Sequence, residues 1–212
     1  MTSLRARIRD AVLDRVPGIL RRGPVVANRV ALTFDDGPDH MTPDYLDVLD
    51  ELGVPATFFL VGARAEDHPR LVNEYRRRGH QIASHGYDHR RFTQLGHAEL
   101  LDQCARTDDA IGGQLSGRSW VRPPHGSLDV RSMLSLLSAR YTVALWTIDT
   151  LDHGERDADA IVARCVNGGV RAGDVLLFHE GQQWTLDALP RVVESIRAQG
   201  LECVTMHDLY AA

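Results

Sequence analysis

The chain has 212 residues, 43% hydrophobic and 25% charged, which suits a single globular domain with a buried core. A net charge of -5 and a pI near 6.0 give no electrostatic footprint for nucleic acid. All 24 basic residues are arginine, so chemistry through a Schiff-base lysine is excluded.

Residues 3–16 place Leu4, Ile8, Val12 and Val16 on one face among Arg5, Arg7, Arg9 and Arg15, which predicts a short basic amphipathic helix. Such a helix packs on its own domain or touches an anionic membrane surface. No stretch reaches the roughly 18 apolar residues of a membrane span. Asp10, Asp14, Arg15 and Pro17 interrupt every apolar run near the N-terminus, so the expectation is a cytoplasmic protein without a signal peptide. Arg21 to Asn28, with Gly23-Pro24, reads as a linker.

Short apolar runs near 30–34, 55–61, 80–84, 119–122, 141–148, 174–178 and 201–205 then alternate with helical patterns. The helices show in Tyr45, Val48, Leu49 and Leu52, in Leu100, Leu101, Cys104 and Ile111, and in Leu186, Leu189, Val193 and Ile196. Strands alternating with helices predict an α/β fold with parallel pairing, either an open doubly wound sheet or a closed barrel. Cys104, Cys165 and Cys203 fall in these patterns without paired spacing and are expected to be buried thiols.

In either architecture active residues gather at the carboxyl ends of strands. The chain places Asp35 and Asp36 after the first run and Ser84-His85-Gly86-Tyr87-Asp88-His89 after the third. Arg122-Pro123-Pro124-His125-Gly126 follows the fourth, Asp149 to His153 the fifth, and His179-Glu180 the sixth. Adjacent residues leaving a strand point in different directions, so Asp35 and Asp36 are expected to do different jobs, one holding a metal and one acting as a base. His85 and His89 are four apart, which on a helical turn puts both imidazoles on one side. With Asp36 they make a two-histidine, one-carboxylate set with positions open for water and substrate. Zinc is the natural ion for it, and cobalt, nickel or iron also fit. Arg122 is expected to hold Asp35 ionised, and Asp152 to keep His179 protonated as a general acid.

Together, Thr33-Phe34-Asp35-Asp36-Gly37-Pro38, His85-x-x-x-His89, Arg122-Pro123-Pro124-His125-Gly126, Asp149-x-x-Asp152-His153 and Leu176-x-x-His179-Glu180 resemble the polysaccharide deacetylase family of metal-dependent carbohydrate esterases. The resemblance implies a distorted (β/α)7 barrel over 29–212, with 1–28 as N-terminal helix and linker. It implies Asp35 as base, Asp36, His85 and His89 as ligands of one divalent metal ion, Arg122 positioning Asp35, and Asp152 tuning the acid His179. The backbone N–H of His125 would serve the oxyanion. Three residues depart from the family pattern: His125 stands where tyrosine is usual, His153 where tryptophan is, and Glu180 where aspartate is. The groove is then expected to be lined by His125 and His153, with Trp184 as a stacking surface.

The implied reaction is removal of an N-acetyl or similar N-acyl group from an amino sugar. Three other readings stay open: a deformylase or deacylase of a lipid-linked or small amino sugar, a metal-independent amidase, and a carbohydrate-binding pseudoenzyme.

Overall fold

The computed structural model describes residues 11–25, 28–113 and 118–211. Its nine strands form one sheet: β1 (Ile19–Leu20), β2 (Arg29–Asp35), β3 (Thr57–Leu60), β4 (Gln81–Ser84), β5 (Trp120–Val121), β6 (Thr142–Ala144), β7 (Ile148–Asp149), β8 (Val175–His179) and β9 (Glu202–Val204). The helices between them are α1 (Thr42–Leu52), α2 (Gly62–Asp67), α3 (Pro69–Arg77), α4 (His97–Ala110), α5 (Val130–Ser138), α6 (Ala158–Asn167), α7 (Gln183–Ala198) and α8 (Met206–Tyr210). All pairings are parallel, in the order β1-β6-β5-β4-β3-β2-β8-β7, with β9 beside the start of β2.

The stretch from β6 to β7 curls this sheet into a distorted barrel, because it pairs with β5 at one end and with β8 at the other. The sequence predicts one strand over 141–148, whereas Leu145–Thr147 interrupt it. Thr147 holds the bend: its N–H and hydroxyl donate to the Val175 carbonyl, and its hydroxyl accepts from the Val175 N–H. The seven expected runs thus become β2, β3, β4, β5, β6 with β7, β8 and β9. Strand β1 was not anticipated, since two residues are too short for any alternation to register.

Alternation along the strands decides what faces the barrel interior. Val30, Leu32 and Phe34 of β2, Phe58 and Leu60 of β3, and Leu176 and Phe178 of β8 pack in one core with the helices. The intervening Ala31, Phe59 and Val175 belong to an interior cluster with Ala83, Trp120, Met206 and Leu209. Continuing the same count brings Asp35, His85, Arg122, Asp149 and His179 inward at the strand ends. One residue of register slip would turn all of them outward.

Ala11–Leu13 are helical, and Leu13 and Val16 pack against the core beside α5. Residues 14–16, expected to continue the helix, form a turn instead, and residues 3–10, with the membrane-facing reading, lie outside the described residues. Among the described residues no helix is long and apolar enough to cross a membrane. Cys104, Cys165 and Cys203 are free and buried.

Candidate metal and catalytic site

Asp35 ends β2 buried, 3% exposed, against a fully buried Arg122. Arg122 Nη1 donates to Asp35 Oδ1 at 2.8 Å and to Thr33 Oγ1 at 2.8 Å. Its Nη2 reaches the Leu145 carbonyl at 3.3 Å, and the guanidinium lies 4.0 Å over the Phe59 ring. Burial pulls the Arg122 pKa down and the Asp35 charge opposes this. Each group of this buried pair is the other's counter-charge.

Asp36 turns away from Asp35 through a left-handed backbone, φ 73°, and Arg64 donates to its carbonyl. Asp36 Oδ1 lies 3.0 Å from His89 Nε2 and 3.5 Å from His85 Nε2. That oxygen is buried and accepts no hydrogen bond among the described residues. An orphaned carboxylate oxygen facing two imidazole nitrogens is the donor set of a divalent ion, so these three residues can hold a metal.

The charge states suit the same purpose. His85 Nδ1 is 2.8 Å from the Arg122 carbonyl, which makes Nδ1 the protonated nitrogen and leaves the Nε2 lone pair toward Asp36. Burial lowers the His85 pKa, with Asp35 and Asp36 opposing. Burial would raise that of Asp36, but the contact with His89 and the nearby imidazoles hold it well below the usual carboxylate range. A neutral imidazole and an ionised carboxylate are the forms that bind metal.

The imidazoles do not converge by the helical turn that their spacing suggested. Residues 85–89 form a loop, with Gly86 at φ 74° and His89 at φ 62°. The buried side chain of Gln103 on α4 clamps this loop: Oε1 accepts from the N–H groups of Tyr87 and Asp88, and Nε2 donates to Asp88 Oδ2. Nothing in the sequence marks Gln103 for this task except a polar residue among the apolar positions of α4.

His179, at the end of β8, donates from Nδ1 to Asp152 Oδ1 at 2.7 Å. The other Asp152 oxygen accepts from the His179 N–H and from Thr185 Oγ1. Burial pulls the His179 pKa down, but the Asp152 hydrogen bond and charge, helped by Asp35 and Asp36, raise it to about 9. Asp152, His153 and His179 also cluster closely enough for a metal. Both oxygens of Asp152 are already taken by hydrogen bonds, so this group serves instead to orient a protonated imidazole.

Behind the Asp35-Asp36 turn sits Glu180, whose carboxyl accepts from Tyr75 OH and from Thr42 Oγ1 at 2.9 Å. It packs so closely that a Cβ on residue 37 would meet Glu180 Oε2 at 1.6 Å, which only glycine avoids. Burial outweighs these hydrogen bonds and raises the Glu180 pKa from 4.5 to about 8. Between those values the folded chain holds more protons than the unfolded one, so stability falls as pH rises through that window. Glu180→Gln should therefore gain on the wild type as pH goes from 5 to 8, by up to about 1.4 kcal/mol per pH unit. Urea unfolding at both pH values measures this, and a constant difference would contradict it.

A cavity of about 430 Å³ joins the two halves, lined by Asp35, Asp36, His85, His89, His125, His153 and His179. Asp149 and Gly126, from the strand-end motifs, complete it together with Trp146, Leu177 and Arg91, which were not anticipated as cavity residues. Trp146 falls in the run that predicts a strand, and the bend that breaks this strand carries it to the wall. His125, at φ 58°, places its ring 4.5 Å from that of His89, and His153 lies 5.3 Å from His179. Trp184 is not among the residues of this wall: its indole donates to the Asp152 carbonyl at 2.7 Å and its ring packs on the outer core. It supports the His179 partner instead of offering a stacking face.

A family model described as polysaccharide deacetylase matches residues 22–144. The chain belongs to the polysaccharide deacetylase family. A Bacillus cereus peptidoglycan-N-acetylglucosamine deacetylase is 32% identical over 89% of this chain and 70% of its own length. A Sinorhizobium fredii chitooligosaccharide deacetylase is also 32% identical, over 89% of this chain and 94% of its own. The chain spans only 39% of the Listeria monocytogenes peptidoglycan-N-acetylglucosamine deacetylase PgdA that it matches. A solved peptidoglycan N-acetylglucosamine deacetylase in complex with 4-naphthalen-1-yl-N-oxidanyl-benzamide superposes with a TM-score of 0.84 at 32% identity, covering 92% of this chain and 94% of that one. A pseudoenzyme of the same esterase family from Bacillus anthracis gives 0.83 at 25% identity, covering 92% and 70%. The barrel and the N-deacetylase class read from the strand-end motifs agree with the family.

Proposed function

We propose that the chain hydrolyses the N-acetyl group of an amino sugar in a glycan, with one divalent ion, zinc by its donor set, held by Asp36, His85 and His89. The observation that carries this reading is the buried Asp36 oxygen facing two imidazole nitrogens, in one cavity with the Asp35–Arg122 and His179–Asp152 pairs. When bound, such an ion polarises the acyl carbonyl and acidifies water.

The chain's own residues supply the proton transfers. Asp35, held by Arg122, takes the proton of the attacking water. As the acyl carbon becomes tetrahedral, the backbone N–H of His125 donates to the developing oxyanion. His179 gives its Nε2 proton to the departing nitrogen, while Asp152 holds Nδ1 and stabilises the imidazolium. His125, beside His89, and His153, beside His179, line the cavity that would hold the sugar.

Acetate release from N-acetylated chitooligosaccharides and peptidoglycan fragments, before and after chelation and re-addition of zinc, cobalt or nickel, tests the reading. His85→Ala is expected to leave less than about a tenth of the wild-type metal content, measured on the purified protein, and to lose turnover with it. Unchanged metal content in that variant, or activity indifferent to chelator, would overturn the assignment.

A further inference from the structure

We infer that Arg91 selects for amino sugars carrying an anionic substituent near the N-acetyl group; this rests on the deacetylase reading above. The loop after His89 carries two adjacent arginines with different fates. Arg90 is held by Asp88 at 2.7 Å and by Glu99 at 2.8 Å, outside the cavity. Arg91 lines the cavity itself, and among the described residues no carboxylate pairs with it.

The acids that share the cavity are already committed. Asp35 is bound to Arg122, Asp36 faces the two imidazoles, and Asp149 Oδ1 accepts the Leu151 N–H. The guanidinium of Arg91 therefore has a fork of donors and a positive charge, and none of these carboxylates is in ion-pair contact with it. The position is fixed rather than trailing: the Arg91 carbonyl accepts from the Gln94 N–H, and the preceding loop is pinned by Gln103.

The walls point the same way. Where the family pattern has aromatic rings that stack on uncharged sugar faces, this chain has His125 and His153, and Trp184 is turned to the core. Trp146 still offers one aromatic face, but at these two positions hydrogen-bonding imidazoles stand in a cavity that Arg91 also lines. A carboxylate or phosphate on the sugar fits a guanidinium fork by two parallel hydrogen bonds, which a neutral hydroxyl cannot match in strength.

The test compares kcat/KM for acetate release from a neutral N-acetylglucosamine oligomer, a muramic-acid-containing glycan fragment bearing a carboxylate, and N-acetylglucosamine 6-phosphate. Because Arg91 is exposed, Arg91→Ala is not expected to unfold the protein. It should lower kcat/KM on an anionic substrate at least about tenfold more than on the neutral oligomer, chiefly through KM. It should also remove the additional sensitivity of the anionic substrate to salt, and Arg91→Lys should restore part of the preference. Whichever of the carboxylate and phosphate arms shows the effect names the substituent. An equal fall on all three substrates, or a wild type that favours the neutral oligomer, would overturn the proposal. If the metal-loaded wild type releases acetate from none of the three, the deacetylase reading itself fails, and this inference with it.

Discussion

Replacing Asp35 with asparagine is expected to lower kcat by about a thousandfold while one divalent ion stays bound. The substitution is nearly isosteric, and the amide oxygen it introduces can still accept from Arg122 Nη1, which lies 2.8 Å from Asp35 Oδ1. What it removes is the proton acceptor. A positioned general base contributes about 10² to 10⁴ in rate, or near 4 kcal/mol of barrier for the middle of that range. The proposed metal donors are other residues, Asp36, His85 and His89, and Asp35 Oδ2 stands 3.6 Å from His85 Nε2. Metal content by elemental analysis and steady-state acetate release on the same preparation separate the two effects. Activity within about tenfold of wild type, roughly 1.4 kcal/mol of barrier, would remove Asp35 from the role. So would a parallel loss of metal, because Asp35 would then be acting as a ligand. The comparison matters in this family, since the barrel superposes equally well on a pseudoenzyme, with a TM-score of 0.83. Fold alone therefore does not decide turnover.

The strand ends were legible because an apolar run that stops on Asp35-Asp36, His85, Arg122 or His179 has only one physical reading in a parallel α/β sheet: polar groups at the mouth. Alternation then predicts which of two neighbours faces inward, and the separate surroundings of Asp35 and Asp36 follow from it. Partners distant in the chain were not legible. Nothing local marks Thr42 and Tyr75 as donors to Glu180, or Thr33 Oγ1 as a second acceptor for Arg122, since a side chain's partner depends on how the strands stack. The His85–His89 pair was found for the wrong geometric reason. Four-residue spacing suggests a helical turn, yet a loop with two left-handed residues achieves the same convergence. Trp184 misled for a related reason: position past a strand end says that a ring is near the site, not which of its faces is already occupied.

Arg122→Met is expected to destabilise the protein by about 3–5 kcal/mol, a large part of the roughly 5–15 kcal/mol that holds a domain together, and to reduce turnover at least about a hundredfold. Arg122 is fully buried and Asp35 nearly so, and among the described residues no other arginine is bonded to that carboxylate. Methionine fills much of the volume but leaves an ionised carboxylate buried without its counter-charge. Arg122→Lys should recover little, since an ammonium cannot span Asp35, Thr33 and the Leu145 carbonyl as the guanidinium does. Metal affinity should suffer less than stability, because the contact that orients His85 is made by the main-chain carbonyl of residue 122, which the substitution keeps. A double-mutant cycle makes the origin of the effect measurable. Asp35→Asn with Arg122→Met removes both charges, and its stability in urea should exceed that of Arg122→Met alone by about 2 kcal/mol or more, even though two native groups have been lost. If the double variant is instead as unstable as the sum of the two single changes, the arginine contributes through packing on Phe59 and Trp146 rather than through the charge it gives to Asp35.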